Sequence, residues 1–162
     1  MPNTDQKRAR SIIACVIAMM GMSITLGLSW PLLAIVLESQ GVAHWLNGLS
    51  ASAQMIAVLV VMPVAPALIH RLGVVRAIGV GIVGMAACLA LLPIFPSVWA
   101  WFPIRFGLGL FEELVFIAGD IWINQLAQEE TRGRLIGLYG MCLHGGFALG
   151  PLSIMLLGSE DW

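Results

Sequence analysis

The chain has 162 residues, of which 59% are hydrophobic and only 10% are charged, with a mean hydropathy of +0.93 and a net charge of −1. Soluble domains hold roughly 45–50% apolar and about 25% charged residues, so this composition excludes an ordinary water-soluble domain and indicates a chain dissolved in a lipid bilayer. Without an excess of positive charge, a nucleic-acid partner is also disfavoured.

The cysteines and the known catalytic patterns point to no chemistry. Cys15, Cys88 and Cys142 are isolated inside apolar runs, without a CxxC pair or a metal-ligand spacing, so we interpret them as small packing residues. Neither a phosphate-binding loop nor an HExxH motif is present, and no serine–histidine pair is evident. We therefore expect no metal, no cofactor, no enzymatic activity and no ATP-driven pumping by this chain.

Five apolar segments follow a short polar head and are long enough to cross a hydrocarbon core about 30 Å thick as helices. Pro31 predicts a kink in the first of them. The glycines of the third form a GxGxxG pattern, but no strand precedes it, so we interpret them as sites of close helix packing. The predicted spans 1 to 5 are residues 11–37, 46–70, 77–94, 98–125 and 135–157.

The basic residues predict the orientation of these spans. Three lie in the head, two (Arg71 and Arg76) in the turn between spans 2 and 3, and two (Arg132 and Arg134) between spans 4 and 5. Because positive loops stay in the cytoplasm, we expect a multi-pass protein of the cell membrane with a cytoplasmic N-terminus. Tryptophans at the opposite interface, as an aromatic belt requires, agree with this: Trp45, Trp99, Trp101 and Trp162.

Span 4 carries Arg105, Glu112, Glu113 and Asp120 although it is otherwise apolar. A charge near the bilayer centre costs about 3 kcal/mol or more, which makes such residues candidates for a functional site. At about 100° per residue, Glu112 lies roughly 20° from Arg105 around the helix, Asp120 about 60° and Glu113 about 80°. This polar stripe predicts a site for a proton or a substrate charge, or alternatively ion pairs that hold helices together. Asp120 could instead contact Arg132, Arg134 or a neighbouring loop.

Other polar side chains in the spans have a simpler interpretation. Ser23, Thr25, Ser29 and Gln54 could contact a substrate, but hydrogen bonds between helices are the favoured role. His144 in span 5 could sense pH, but a hydrogen-bonded structural histidine is the favoured interpretation.

The turn between spans 2 and 3 resembles a signature of the major facilitator superfamily, approximately G-x-x-x-D-R-x-G-R-R. Arg71 and Gly73 match it, and Arg76 continues its basic character, whereas Pro66 and His70 replace the first glycine and the acid. The resemblance implies that His70, Arg71, Gly73 and Arg76 form the loop that helps to control conformational change.

Two further motifs of this family resemble spans 4 and 5. In span 4, Arg105 and Gly109 match the pattern R-x-x-Q-G, whose arginine is linked to proton transfer in proton-coupled members. Span 5 is similar to a packing motif associated with export by exchange, although its two closing glycines are replaced by isoleucine and methionine. The matching residues are Gly137, Gly146, Gly150 and Pro151.

The resemblance implies an all-α integral membrane protein with five transmembrane helices, an incomplete N-terminal six-helix bundle of the superfamily fold. It implies secondary active transport of a small solute by alternating access, coupled to protons and in the direction of efflux. Because the fold has two halves of six spans, we expect a fragment that needs a sixth helix and the remaining half of the transporter. The alternative is a non-transporting membrane assembly or sensory subunit.

Overall fold

A computed structural model describes residues 4–95 and 97–157, and all regular elements in this part of the chain are α-helices. The helices are α1 (Thr4–Ser39), α2 (His44–Val61), α3 (Ala65–Leu72), α4 (Val74–Leu91), α5 (Val98–Leu126) and α6 (Arg132–Leu157). Spans 3, 4 and 5 correspond to α4, α5 and α6, with ends that differ by at most three residues. Trp162, which the sequence places at the membrane interface, lies outside the described residues.

The first helix is longer than the predicted span 1 at both ends. It begins within the polar head, where glutamine, lysine, arginine and alanine residues favour helix and allow the apolar segment to extend outward. It also continues past Pro31 in one uninterrupted element. Pro31 therefore does not end the helix.

The predicted span 2 corresponds to two helices. The helix α2 ends at Val61 and α3 begins at Ala65, with a turn over residues 62–64. Pro63 has no backbone N–H to continue the helical ladder, whereas Pro66 lies in the first turn of α3, where a missing N–H costs nothing. Gly73, at φ +81°, then separates α3 from α4, because glycine adopts this left-handed conformation without strain. The prediction of one uninterrupted helix over residues 46–70 was thus wrong, because the helix is interrupted around Pro63.

Among the described residues, four helices are long and apolar enough to cross a membrane by length and composition. They are Gln6–Ser39, His44–Val61, Val74–Leu91 and Arg132–Leu156. Helix α5 has 29 residues, but its four charged residues interrupt its apolar character, so the fifth crossing stays a prediction. Large apolar side chains lie exposed on the four candidate spans, including Leu59 at 71%, Val83 at 70% and Met155 at 84% exposure, as lipid-facing residues would.

The helices form two compact units, and the first includes residues 1–33 and 120–162. Within it, α6 lies against α1 at two glycines one turn apart. A Cβ atom at Gly146 would lie 2.9 Å from the carbonyl oxygen of Met20, and one at Gly150 would overlap the backbone of Gly27 and Leu28. The two helices therefore meet backbone to backbone, which small residues at i and i+4 permit.

The second unit, Ala34–Gly119, contains α2, α3, α4 and most of α5. Glycines of α4 lie against α5, because a Cβ atom at Gly81 or Gly84 would overlap the side chain of Val115 or Phe111. On a second face of α5, a Cβ atom at Gly109 would lie 3.0 Å from the Cβ of Ala57. Helix α5 is thus packed closely on both α4 and α2 within this unit.

Candidate functional site

The polar stripe of α5 lies within the second unit at Arg105, Glu112 and Glu113. Arg105 is buried, with 3% of its surface exposed, and both glutamates are half-buried. Glu113 is about 100° around the helix from Glu112, so the two carboxylates face different surroundings. Arg105 is therefore enclosed by the protein, whereas the two glutamates are partly covered by it.

Gln54 of α2 is the hydrogen-bond partner of Glu112. Its Nε2 donates to Oε2 of Glu112 across 2.6 Å. The bond forms where Gly109 allows α2 to approach α5, since a Cβ atom at Gly109 would overlap the carbonyl of Gln54. Gln54 is itself buried. The interhelical role favoured for this glutamine from the sequence is thus its role in the structure. The same prediction was wrong for three hydroxyls that donate to carbonyl oxygens of their own helix α1, those of Ser23, Thr25 and Ser29.

Two buried polar atoms in the same unit have no hydrogen-bond partner among the described residues. They are Nε of Arg105 on α5 and Oγ of Ser50 on α2. Ser50 has no exposed surface and lies one helical turn before Gln54 on the buried face of α2. Arg105 likewise lies one turn before Gly109 on α5. A buried polar group without a partner lowers stability by about 1–3 kcal/mol, so each of these two atoms requires an explanation.

Asp120 belongs to the first unit, where Tyr139 of α6 is its partner. The phenolic O–H donates to Oδ1 of Asp120 across 2.9 Å, and Tyr139 is buried. Arg132 donates to Oδ1 of Asn124 at 3.1 Å, and Asn124 donates to the backbone carbonyl of Asp120 at 2.8 Å. Beside this network is an open pocket of about 390 Å³, lined by Asp120, Ile121, Asn124 and Gln125. Among the described residues, the side-chain partner of Asp120 is thus Tyr139 of α6 and not a basic residue.

The end of α5 in the first unit is held by the polar head of the chain. Nε of Arg8 on α1 donates to the carbonyl oxygen of Leu126 across 2.7 Å. The last carbonyls of a helix have no partner within it and carry partial negative charge, so an arginine at this position satisfies one of them. Arg8 therefore connects the start of α1 to the end of α5.

The loop residues lie where α3 meets α4. His70 and Arg71 occupy the last turn of α3 and are exposed, where positive charge interacts favourably with the helix C-terminus. Gly73 forms the turn, and Arg76 is exposed on the first turns of α4. These residues share one end of the unit and present their charges outward.

The glycines of the predicted packing motif have different surroundings. Gly146 and Gly150 contact α1, whereas Gly137 has no neighbouring atom within 4 Å of the position of a Cβ. Pro151 lies inside α6, which continues past it, and its side chain is exposed. Within this motif, Gly146 and Gly150 are therefore the two residues that bring helices together.

No group of three potential metal ligands occurs among the described histidine, cysteine, aspartate and glutamate residues. Nδ1 of His144 donates a hydrogen bond across 2.7 Å to the carbonyl oxygen of Gly140 in its own helix, as a structural histidine does. The arrangement offers carboxylates, an arginine and hydroxyls inside an apolar bundle. Such groups can hold a proton or bind a charged solute.

Three participants were missed from the sequence: Ser50, Tyr139 and Arg8. A signal existed for Tyr139, since it is the chain's only tyrosine. Ser50 precedes Gln54 by one turn, so helical periodicity could have placed both on one face. Arg8 lies in the polar head, whose positive charge predicts the orientation of the chain but no particular contact. The partners themselves depend on which helices pack together, which periodicity within one helix does not contain.

Comparison with known proteins gives a family. The Major Facilitator Superfamily profile matches residues 12–162. An uncharacterized MFS-type transporter from Bacillus subtilis (strain 168), YfkF, is 30% identical over 133 residues, which are 81% of this chain and 34% of that protein. The chain thus spans about a third of the length of this curated relative. No solved structure matches the chain significantly. The match over nearly its whole length establishes that this chain belongs to the major facilitator superfamily.

Proposed function

We propose that this chain is part of a secondary active transporter that moves a small solute across the cell membrane by alternating access and couples the movement to protons. The observation that carries the proposal is Glu112, a carboxylate held inside the second unit by the amide of Gln54. Family membership supports transport in general. The acid within an apolar helix bundle supports the coupling to protons.

A carboxylate in this position can link proton binding to conformation. A charged carboxylate in a low-dielectric interior costs free energy that the neutral acid does not, and a donor such as Gln54 offsets part of that cost. A conformation that opens the helices to water would favour the charged form, and a closed conformation would favour the neutral form. Proton binding at Glu112 would then shift the balance between the two conformations.

The other charged residues of α5 complete the proposed coupling machinery. Arg105 would supply a buried positive charge on the same helical face as Glu112, and Glu113 would offer a second carboxylate on a neighbouring face. Asp120 would act at the other end of the helix through its hydrogen bond with Tyr139. In this proposal, each residue changes the free energy of one conformation relative to the other.

Two further elements are assigned to the conformational change and its direction. The loop with His70, Arg71, Gly73 and Arg76 would act at the cytoplasmic end, where α3 and α4 meet. The motif of Gly137, Gly146, Gly150 and Pro151 supports export as the direction, because the family pattern that it resembles is associated with export by exchange. Within the motif, Gly146 and Gly150 bring α6 against α1.

The proposed assembly extends beyond this chain. A complete transporter of this family needs a second half, and the chain matches 34% of its relative. We assign the chain to the N-terminal domain, with its N-terminus in the cytoplasm, lipid against its exposed apolar side chains, and a solute and protons as its ligands. A sixth helix and the other half would complete the cavity.

The test is transport by the full-length protein that contains this chain. Cells that produce the wild type and cells that produce Glu112→Gln are first compared for small molecules that differ between cells and medium. The solute found is then tested in proteoliposomes with a pH-sensitive dye inside. We expect a proton gradient to drive solute flux by the wild type and to have little effect on flux by Glu112→Gln.

Glu130→Gln is the matched control, since Glu130 is exposed in the connector between α5 and α6. It removes the same charge outside the proposed machinery, so its flux should equal that of the wild type. If the wild type moved no solute under any proton gradient, coupled transport would be refuted. If Glu112→Gln retained full proton-driven flux, the role of Glu112 would be wrong.

A further inference from the structure

We propose that Ser50 and Arg105 form a subsite that binds the carboxylate group of an anionic solute. The inference rests on the proposed function, because both groups are buried in this conformation and alternating access would expose them. The pair consists of a hydroxyl with no exposed surface and a guanidinium with 3% of its surface exposed. Oγ of Ser50 and Nε of Arg105 have no hydrogen-bond partner among the described residues.

The packing of α2 on α5 places these two groups at one level. Gln54 of α2 lies beside Gly109 of α5 and donates to Glu112 one turn further on. Ser50 precedes Gln54 by four residues and Arg105 precedes Gly109 by four, which is about 6 Å along either helix. Spans 2 and 4 of an alternating topology cross the membrane in the same direction. Equal steps along two parallel helices place Ser50 and Arg105 at the same level of α2 and α5, and we infer that the two groups face each other.

The chemistry of the two groups selects the ligand. Nε of arginine donates a hydrogen bond and never accepts one, and the serine hydroxyl can donate beside it. A ligand oxygen that accepts from both and carries negative charge would satisfy both donors and offset the buried positive charge. A carboxylate meets these requirements. A cation would leave Nε of Arg105 without an acceptor and would be repelled by the guanidinium.

The neighbouring acid limits the ligand further. Glu112 lies seven residues beyond Arg105 on nearly the same face, about 10 Å along the helix. A second anionic group that reached towards Glu112 would meet a carboxylate, whereas an uncharged or cationic group would not. The subsite is therefore suited to a solute with a single carboxylate at its Ser50–Arg105 end.

Formate is the probe, because it is the smallest carboxylate and enters a carboxylate subsite whatever the rest of the solute. The full-length protein in detergent is unfolded by heat at increasing formate in place of chloride, and the unfolding temperature is followed by tryptophan fluorescence. Formamide, a neutral molecule of similar size, is titrated in parallel. We expect saturable stabilisation by formate and none by formamide.

Ser50→Ala and Ser52→Ala are the decisive pair of variants. Ser52 is on the same helix, but it is exposed and its hydroxyl already donates to the carbonyl of Gly48. Losing a hydrogen bond to a charged ligand weakens binding roughly tenfold, so Ser50→Ala should raise the Kd for formate by that factor and Ser52→Ala should leave it unchanged. Arg105→Gln should abolish the stabilisation.

The unliganded stability separates binding from a structural role. Removing an unpartnered hydroxyl should leave the unfolding temperature of Ser50→Ala without formate equal to that of the wild type or higher. If Arg105→Gln does not fold, Ser50→Ala alone decides. Formate binding that is absent from the wild type, or equal in wild type and Ser50→Ala, overturns the subsite even if the protein transports a solute. Formate binding without any solute flux supports the subsite and refutes transport.

Discussion

At the scale of single residues, the pairing of Glu112 with Gln54 explains how an acid is tolerated inside an apolar bundle. The amide of Gln54 donates across 2.6 Å, and Gln54 is itself buried. Neither side chain could leave its partner without placing a polar group in an apolar environment. The stability of the second unit and the proposed proton site therefore depend on the same bond.

This dependence predicts the effect of Gln54→Leu. Leucine fills the space but donates no hydrogen bond, so Glu112 loses its partner and the free energy of unfolding should fall by about 1–3 kcal/mol. The measurement is denaturation of the purified protein in detergent. In the background of Glu112→Leu the same substitution should cost much less, because no carboxylate is left without a donor. Equal losses in both backgrounds would contradict the pairing.

Tyr139→Phe tests the corresponding bond in the first unit. Phenylalanine keeps the buried ring and removes only the hydroxyl that donates to Asp120, so we expect a loss of about 1 kcal/mol in the free energy of unfolding. The measurement is again denaturation of the purified protein in detergent. With Asp120→Ala already present, the tyrosine hydroxyl has lost its acceptor, and the further substitution should lower stability by less. A full additive loss would show that the two side chains act independently.

At the scale of helices, glycines determine which pairs come into close contact. Gly150 lies against the backbone of Gly27 and Leu28, and backbone atoms of two helices cannot yield to an added methyl group without separating them. Gly137 belongs to the same sequence motif but faces open space. The motif thus contains a matched pair of positions, one inside the contact and one outside it.

Gly150→Ala should therefore destabilise the protein, whereas Gly137→Ala should not. Overpacking costs typically 1–3 kcal/mol, and alanine at an open helical position adds up to about 1 kcal/mol of helix propensity. Thermal unfolding of the two variants should move in opposite directions. A loss of stability at Gly137 equal to that at Gly150 would mean that the motif acts through something other than the contact of α6 with α1.

The glycines of α4 give a second comparison, with a different neighbour. A Cβ atom at Gly81 would overlap the side chain of Val115 and lie 3.0 Å from the carbonyl of Phe111, whereas Gly79 faces open space. Gly81→Ala should lower the free energy of unfolding by about 1–3 kcal/mol and Gly79→Ala should not lower it. Equal unfolding temperatures of the two variants would remove close packing as the reason for the GxGxxG pattern.

The sequence predicted the helices better than their contacts. Apolar length located α4, α5 and α6 within a few residues, because the cost of exposing backbone in lipid makes long helices the favoured structure. Pro63 divided span 2, whereas Pro31 did not divide α1, and the sequence alone does not distinguish two prolines whose neighbours differ. The polar stripe of α5 was visible from periodicity. Its partners Gln54 and Tyr139 were not, since they depend on how helices pack.

At the scale of the whole molecule, the open question is whether α5 crosses the membrane. Its length of 29 residues favours a crossing, and its four charged residues oppose one. The charges have partners or burial inside the protein, as shown for Glu112, Asp120 and Arg105. Charges that face a protein interior cost less than charges that face lipid, so we expect α5 to span the bilayer.

Cysteine labelling in intact cells decides this crossing. In a full-length protein whose Cys15, Cys88 and Cys142 are replaced by serine, a single cysteine is introduced at Ser97 before α5 or at Glu130 after it, both exposed positions. A membrane-impermeant maleimide should label Ser97→Cys from outside and Glu130→Cys only after the cells are permeabilised, because the basic connector stays in the cytoplasm. Transport-competent variants serve as the control for folding. Labelling of both positions from the same side would show that α5 does not cross, and the proposed proton site would then not lie on a membrane-spanning helix.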